Sequence, residues 1–279
     1  MHLRIIVCFY CLYYSVISFS QKSYTLPKAL SEISGLEWIN DTLLVAHNDG
    51  GNSPTLYLLS NTGKILKSVV IENELNSDWE DICFDGKYLY IADIGNNLNV
   101  RKDLKILRVK LSDLILKKRI KAESMKVFYS NQKQFPPPKN MLNYDSECLI
   151  YADQKLWIIS KNKTIPFDGE ILVYQFSFEA NKKKGLVRFC KFNVGITGNL
   201  FDGITAGDYS NGYFYFCTYN RILKYKLKNT NFVLHDILLF SEYNQKEALT
   251  ISSKGRIYVA NEYNMFLGDQ KMYIYSFVK

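Results

Sequence analysis

The stretch Glu80–Ala92, EDICFDGKYLYIA, contains the pattern that decides the fold. A small or acidic residue is followed two places later by an apolar residue, and seven or eight residues after that apolar residue an alternating apolar run begins. Four other segments share this pattern: Ser34–Ala46, Glu147–Ile159, Ile204–Cys217 and Glu247–Ala260. Such a recurrence indicates five copies of one β-hairpin.

Further alternating runs extend these hairpins. Each hairpin is followed by a third run, and the first four are also followed by a fourth. Four-stranded repeats at intervals of about 40–50 residues are typical of a β-propeller. The fifth repeat has only three runs, and Ser23–Leu26 can supply the missing strand. The sequence therefore predicts an all-β fold, a propeller of five four-stranded blades closed by an N-terminal strand. The alternative is six blades, if Pro136–Pro138 and its surroundings form an extra sheet.

The first twenty residues have the composition of a leader. Arg4 is followed by the apolar run Ile5–Phe19, with small residues at Ser18 and Ser20, as in a signal peptide cleaved before Gln21. The alternative is a membrane anchor, although the run is shorter than the ~20 residues of a typical span. We expect a signal peptide over 1–20, a single domain over 21–279, no membrane span in the mature chain, and a secreted or periplasmic protein.

The distribution of charge limits the classes of partner that the chain can be expected to bind. The net charge is +8, but the basic runs Lys117–Lys121 and Lys182–Lys184 lie in loop-like segments without interleaved aromatic residues, so nucleic-acid binding is not expected. We expect a monomer whose partner is a small molecule or an extracellular protein.

The mature chain has four cysteines, which are either buried thiols or include one disulfide: Cys83, Cys148, Cys190 and Cys217.

The predicted fold gathers polar residues at one mouth of its central channel. In an antiparallel hairpin the start of the first strand lies beside the end of the second, and all innermost strands run the same way. Glu80, Glu147 and Glu247 would meet there and repel one another. A calcium ion, which takes 6–8 oxygen ligands, would neutralise their charge. The hypothetical calcium ligands are Glu80, Asp93, Glu147, Asp202 and Glu247. The alternative is that each glutamate pairs with a neighbour such as Lys161.

The same mouth carries loops rich in polar, turn-forming residues. These loops predict the ligand-binding residues His47, Asn48, Asp49, Asn261 and Glu262. The sequence has no His-Glu-x-x-His zinc motif, phosphate-binding loop, nucleophile elbow or dinucleotide fingerprint. Catalytic residues therefore stay unassigned.

Several of these segments resemble known proteins. The motifs Ser34–Glu37, His47–Asn52, Asp78–Ile82, Asp93–Asn97 and Glu247–Thr250 are similar to those of secreted bacterial propellers described as phytase-like or esterase-like. Those proteins are distantly similar to gluconolactonase and strictosidine-synthase-like propellers. The resemblance implies a divalent ion held at the channel mouth, with Glu80, Glu147 and Glu247 at comparable blade positions. This chain departs from the pattern in its fourth blade, where Ile204 and Thr205 replace an expected acid, and in lacking the basic phosphate-binding clusters of phytases.

Two functions are consistent with these features. One is a propeller that binds a ligand or partner at the acidic mouth without catalysis. The other is a calcium-dependent hydrolase of an ester, lactone or phosphoester, in which the ion acts as a Lewis acid and a carboxylate activates water. A fold alone does not decide between them.

Overall fold

Five antiparallel sheets surround a central channel in the computed structural model, which describes Val16–Ser18 and residues 22–277. Blade 1 consists of β3 (Ile33–Asn40), β4 (Leu43–Asn48), β5 (Thr55–Ser60) and β6 (Ile65–Ile71). Blade 2 consists of β7 (Trp79–Phe84), β8 (Tyr88–Asp93), β9 (Lys105–Lys110) and β11 (Glu123–Tyr129). Blade 3 consists of β12 (Asp145–Ala152), β13 (Lys155–Lys161), β14 (Glu170–Phe176) and β16 (Arg188–Asn193).

The last two blades complete the ring. Blade 4 consists of β17 (Ala206–Ser210), β18 (Tyr213–Cys217), β19 (Arg221–Lys228) and β20 (Asn231–Phe240). Blade 5 consists of β21 (Lys246–Ile251), β22 (Ile257–Asn261), β23 (Lys271–Tyr275) and the N-terminal β2 (Lys22–Thr25). The innermost strands β3, β7, β12, β17 and β21 each contact the next, and β21 contacts β3. The five-bladed propeller predicted from the repeat is therefore confirmed.

The strand that closes the ring comes from the predicted segment. β2 pairs antiparallel with β23, matching Lys22 with Ile274 and Thr25 with Lys271. Because this pairing joins the N-terminal part of the chain to the last blade, no gap separates blade 5 from blade 1. Pro136–Pro138 lies in the connection between blades 2 and 3, which includes a 3₁₀ turn, Lys139–Met141, and forms no sixth sheet.

Three blades each carry one additional short strand at the outer edge. Three strands each pair in parallel with an outermost strand: β1 (Val16–Ser18) with β20, β10 (Arg119–Ile120) with β6, and β15 (Lys183–Leu186) with β11. The helices are α1 (Leu111–Leu116), α2 (Asn199–Asp202) and the 3₁₀ turn Lys28–Leu30. No helix in the described part of the chain has the length and apolar composition needed to cross a membrane. The predicted leader, 1–20, lies outside the described residues except for β1.

The core lies between neighbouring blades, where β-branched and aromatic side chains of facing sheets interdigitate. Trp79 and Trp157 are almost completely buried there. The described cysteines Cys83, Cys148, Cys190 and Cys217 are free thiols.

Side chains of the innermost strands also join one blade to the next. The Asp81 carboxylate accepts the backbone N–H of Leu149 in blade 3 at 2.8 Å, and the Asp208 carboxylate accepts that of Ile251 in blade 5 at 2.7 Å. Burial raises the pKa of Asp81 well above its usual range and that of Asp208 to about 7. Each carboxylate satisfies a buried backbone donor of another blade, so these two side chains help to hold the ring together.

A β-bulge begins the innermost strand of four blades. The pairing register shifts across Ser34, Glu80, Glu147 and Glu247, so each of these residues is the extra residue of its strand. A bulged residue leaves the hydrogen-bonding ladder, which re-aims its side chain. The three glutamates therefore occupy equivalent positions at one end of the channel. In blade 4 the strand begins at Ala206 without such a bulge.

Candidate functional site

Three carboxylates converge at the mouth of the channel where blades 1 and 2 meet. Asp49 directly follows β4, Asp78 directly precedes β7, and Glu80 is the bulged residue of β7. Each offers an oxygen atom, and these three oxygens all lie within 4.8 Å of one another. We call these residues the carboxylate triad. Of them, only Glu80 was among the predicted metal ligands, while Asp49 was predicted to bind a ligand and Asp78 was not predicted.

Two glycines make room for the triad. A Cβ atom on Gly95 would lie 2.1 Å from Glu80 Oε1 and 2.4 Å from Asp78 Oδ2. A Cβ atom on Gly50 would lie 2.4 Å from Asp78 Oδ1. All three distances are too short for a side chain at either position, so the two glycines allow the carboxylates to approach the backbone. The loops that follow β4 and β8 thus form a cradle around Asp78.

Glu80 is the least solvated member of the triad. The residue is 4% exposed, and its carboxylate has no hydrogen-bond donor or ion-pair partner among the described residues. Burying an ionised carboxylate without a partner is costly. Burial and the nearby carboxylates of Glu147 and Asp49 raise the pKa of Glu80 well above its usual range. An oxygen-seeking cation at this point would supply the charge that the surrounding protein does not, so the triad fits a hard divalent ion.

The neighbouring acids have raised pKa values for the same reason. Burial raises the pKa of Asp49 to about 7 and that of Asp78 to about 6, although Arg101 lowers the latter. Burial, together with Asp49 and Glu32, raises the pKa of Glu262 to about 8. Several carboxyl groups at this mouth therefore change protonation between pH 6 and 8.

The other two bulge glutamates have partners. Lys161, at the end of β13, donates a hydrogen bond to Glu147, and both side chains are 7% exposed. Burial alone would lower the pKa of Lys161, but Glu147 and Glu247 hold it well above its usual range. Glu247 accepts a hydrogen bond from the Tyr219 hydroxyl at 2.6 Å. The Lys161 ammonium lies 5.4 Å from the centre of the Tyr219 ring.

Two other predicted metal ligands lie in separate ion pairs. Asp93 accepts a hydrogen bond from Arg101 at 2.8 Å and lies 3.6 Å from Lys105. Asp202 pairs with Arg221 and accepts the backbone N–H of Thr197 at 2.6 Å. The structure brings neither aspartate into the carboxylate triad.

Three of the predicted ligand-binding residues are engaged within the protein. His47 is completely buried and packs edge-on against Trp79 at 5.5 Å, and burial lowers its pKa to about 4. Asn48 donates a hydrogen bond to the carbonyl of Ala29 at 2.8 Å. Asn261 is 1% exposed and donates to the Glu262 and Asp269 carbonyls at 2.7 and 3.2 Å. Asp49 and Glu262, by contrast, lie at the mouth and are partly exposed.

Comparisons with known proteins show similarity in fold and not in sequence. No family model matches the sequence, and no curated protein matches it. Glutaminyl cyclase from Myxococcus xanthus is similar in structure, with a TM-score of 0.54, 13% identity, and coverage of 94% of this chain and 97% of that one. The PQQ-bound aldose sugar dehydrogenase from Streptomyces coelicolor has a TM-score of 0.48 and 10% identity, with coverage of 91% and 97%. A luciferin-regenerating enzyme has a TM-score of 0.49 and 10% identity, with coverage of 91% and 95%. The likeness to glutaminyl cyclase shows a shared β-propeller fold.

Proposed function

We propose that this propeller binds a ligand at the acidic mouth of its channel and that the carboxylate triad holds a calcium ion there. The observation that carries the proposal is the Glu80 carboxylate, which is buried, lacks a donor among the described residues, and lies beside Asp49 and Asp78. Calcium accepts an irregular set of oxygen ligands, including carboxylates, backbone carbonyls and water. The glycine cradle leaves the triad close to backbone groups that can complete such a set.

Calcium binding is expected to release protons and to tighten as the pH rises from 5.5 to 8. The raised pKa values, about 6 for Asp78 and about 7 for Asp49, mean that the triad is partly protonated near neutral pH. A cation that binds there must displace these protons. The measurement is calorimetric titration of calcium into the metal-free protein, in buffers with different ionisation enthalpies. Magnesium serves as the control ion, because its octahedral geometry suits the triad less well. Absence of any heat or thermal shift with calcium would contradict the proposal.

A hydrolase is the second candidate, and the raised pKa of Glu262, about 8, is the observation that favours it. A carboxylate whose pKa lies near the working pH is suited to accept a proton from water. Bound calcium would polarise a carbonyl or phosphoryl oxygen of the substrate. Glu262 would take the proton of the attacking water, and Lys161 would stabilise negative charge. The structural neighbours named as enzymes share only the fold, so they do not decide between binding and hydrolysis.

A panel of chromogenic esters, lactones and phosphoesters separates the two candidates. If the protein is a hydrolase, turnover should require calcium and fall at least about 100-fold in Glu262→Gln, the usual range for loss of a general base. The matched control is Glu123→Gln, which changes an acid on β11 that pairs with Arg108. Turnover that is absent throughout the panel, with calcium binding intact, would leave the binding function.

We also propose that the mature protein is secreted or periplasmic, because segment 1–20 has the composition of a signal peptide, and that it is a monomer.

A further inference from the structure

Exposed apolar side chains are concentrated around the acidic mouth. Large apolar residues that are 41–88% exposed lie on this face, in α2 and in the loops that lead into blades 4 and 5 or lie within blade 5: Ile196, Leu200, Phe201, Tyr243, Met265 and Phe266. Contiguous exposed apolar surface on a folded protein marks a site of interaction. We call these residues the apolar rim.

The blade 5 part of the rim is a rigid loop. Between β22 and β23, Asn264 and Gly268 exchange backbone hydrogen bonds of 3.0 and 2.7 Å. The Asn264 side chain accepts the backbone N–H of Phe266 at 2.9 Å and donates to Gln245 at 2.6 Å. These bonds hold Met265 and Phe266 outward, 74% and 88% exposed. Because the loop is fixed in this shape, a partner would not have to order it on binding.

The blade 4 part of the rim leads into the mouth. The rings of Phe201 and Tyr243 have centroids 6.2 Å apart, and Tyr243 lies at the same distance from Tyr219. Tyr219 in turn donates its hydroxyl hydrogen bond to Glu247. A continuous aromatic surface therefore runs from solvent to a carboxylate of the mouth. On the other side, Glu262 directly precedes the loop that carries Met265 and Phe266.

The charge of this face is opposite to that of the whole chain. The protein carries a net charge of +8, yet acidic residues outnumber basic ones in the loops of the mouth face. Acidic side chains of these loops include Glu32, Asp49, Glu242, Glu262 and Asp269. An anionic lipid surface would be repelled by this face, whereas a cationic partner would be attracted to it.

We propose that the mouth and its apolar rim bind a polypeptide segment in which a lysine or arginine is flanked by large apolar side chains. The basic side chain enters the mouth beside Glu247 and Glu262, and the apolar side chains pack on Phe201 and Tyr243 on one side and on Met265 and Phe266 on the other. Aromatic and methionine side chains are the groups that most often anchor such interfaces. This inference deepens the proposed function, because it rests on the mouth being the ligand site.

The test is fluorescence anisotropy with a fluorescein-labelled peptide, Gly-Phe-Lys-Leu-Gly-Phe-Lys-Leu, in calcium and in EDTA. Two matched peptides replace both lysines with glutamate or all apolar residues with serine. Binding should be specific for the first peptide. It should weaken at least about tenfold in Glu262→Gln and in the double variant Met265→Ser/Phe266→Ser, as expected for loss of an anchor. Leu116→Ser is the control, since Leu116 is 79% exposed in α1, away from the mouth loops.

Each other outcome overturns a specific part. Equal binding of the glutamate peptide, or unchanged binding by both rim variants, would contradict the inference. Failure of all peptides to bind a protein that still binds calcium would remove the polypeptide partner and leave the proposed calcium site. Peptide binding without any calcium binding would remove the proposed calcium site and leave the polypeptide partner. Phe266-dependent binding to phosphatidylcholine–phosphatidylserine vesicles, without peptide binding, would assign the rim to a membrane instead.

Discussion

Replacing Glu80 with glutamine is expected to abolish calcium binding while making the metal-free protein more stable. The substitution removes one of three carboxylate ligands, and we expect the affinity to fall at least about 100-fold, more than is typical for changes in outer-shell partners. Glutamine also removes a buried carboxylate that lacks a donor among the described residues. Because burial raises the pKa of Glu80, its ionisation opposes folding as the pH rises, so the gain in stability should be largest near pH 8.

Thermal unfolding with calcium or EDTA measures both effects. In EDTA at pH 8, Glu80→Gln should melt above the wild type, and calcium should raise the melting temperature of the wild type alone. Glu123→Gln is the matched control, because Glu123 is half exposed and pairs with Arg108 on an outer strand. If Glu80→Gln is destabilising in EDTA, or if it binds calcium with the affinity of the wild type, the triad is not the site.

Replacing Lys161 with methionine is expected to produce the largest loss of stability, about 3 kcal/mol at pH 8, because removing one partner of a buried ion pair leaves the other uncompensated. Lys161 is the cation that Glu147 and Glu247 share. Without it the folded-state pKa values of both carboxyls rise further. A raised carboxyl pKa contributes stability at low pH that is lost as the pH rises from the unfolded value, about 4.3, through the folded value. The deficit should therefore shrink at pH 5.

Urea denaturation at both pH values gives the free energy of unfolding. The double variant Glu147→Gln/Lys161→Met should recover most of the loss, since it removes the charge left unpaired, and the cycle isolates the coupling between the two side chains. A deficit that is the same at pH 5 and pH 8, or single losses that simply add, would show that Lys161 acts by packing alone.

The fold could be predicted because the same local sequence pattern begins each blade. A spacing of seven residues, as from Ile82 to Leu89, or of eight recurs in every blade, and alternation fixes which face of each strand is buried. Closure by Ser23–Leu26 followed from the missing fourth strand, and the structure has that strand at Lys22–Thr25.

The candidate site was less predictable because side-chain direction depends on backbone irregularity. Hairpin pairing predicted Glu80 and Asp93 as ligands of one ion, but the bulge places Trp79, not Glu80, opposite Asp93. Asp78 lies in a connection between blades, where no pattern of alternation applies. Its position beside Asp49 depends on two loops from different blades, and the closeness of Gly50 and Gly95 to its carboxylate appears only in three dimensions.

The bulges at the channel mouth separate what the protein does from how it holds together. Ser34, Glu80, Glu147 and Glu247 stand outside the ladder, so the pairing of the strands does not depend on their side chains. Ser34 still donates a hydrogen bond to the Glu80 carbonyl of the next blade, and Glu147 still pairs with Lys161. Exchange of Glu80 or Glu247 can therefore alter which ion or ligand is accepted while the blades keep their pairing. Single substitutions there can change specificity while the scaffold stays folded.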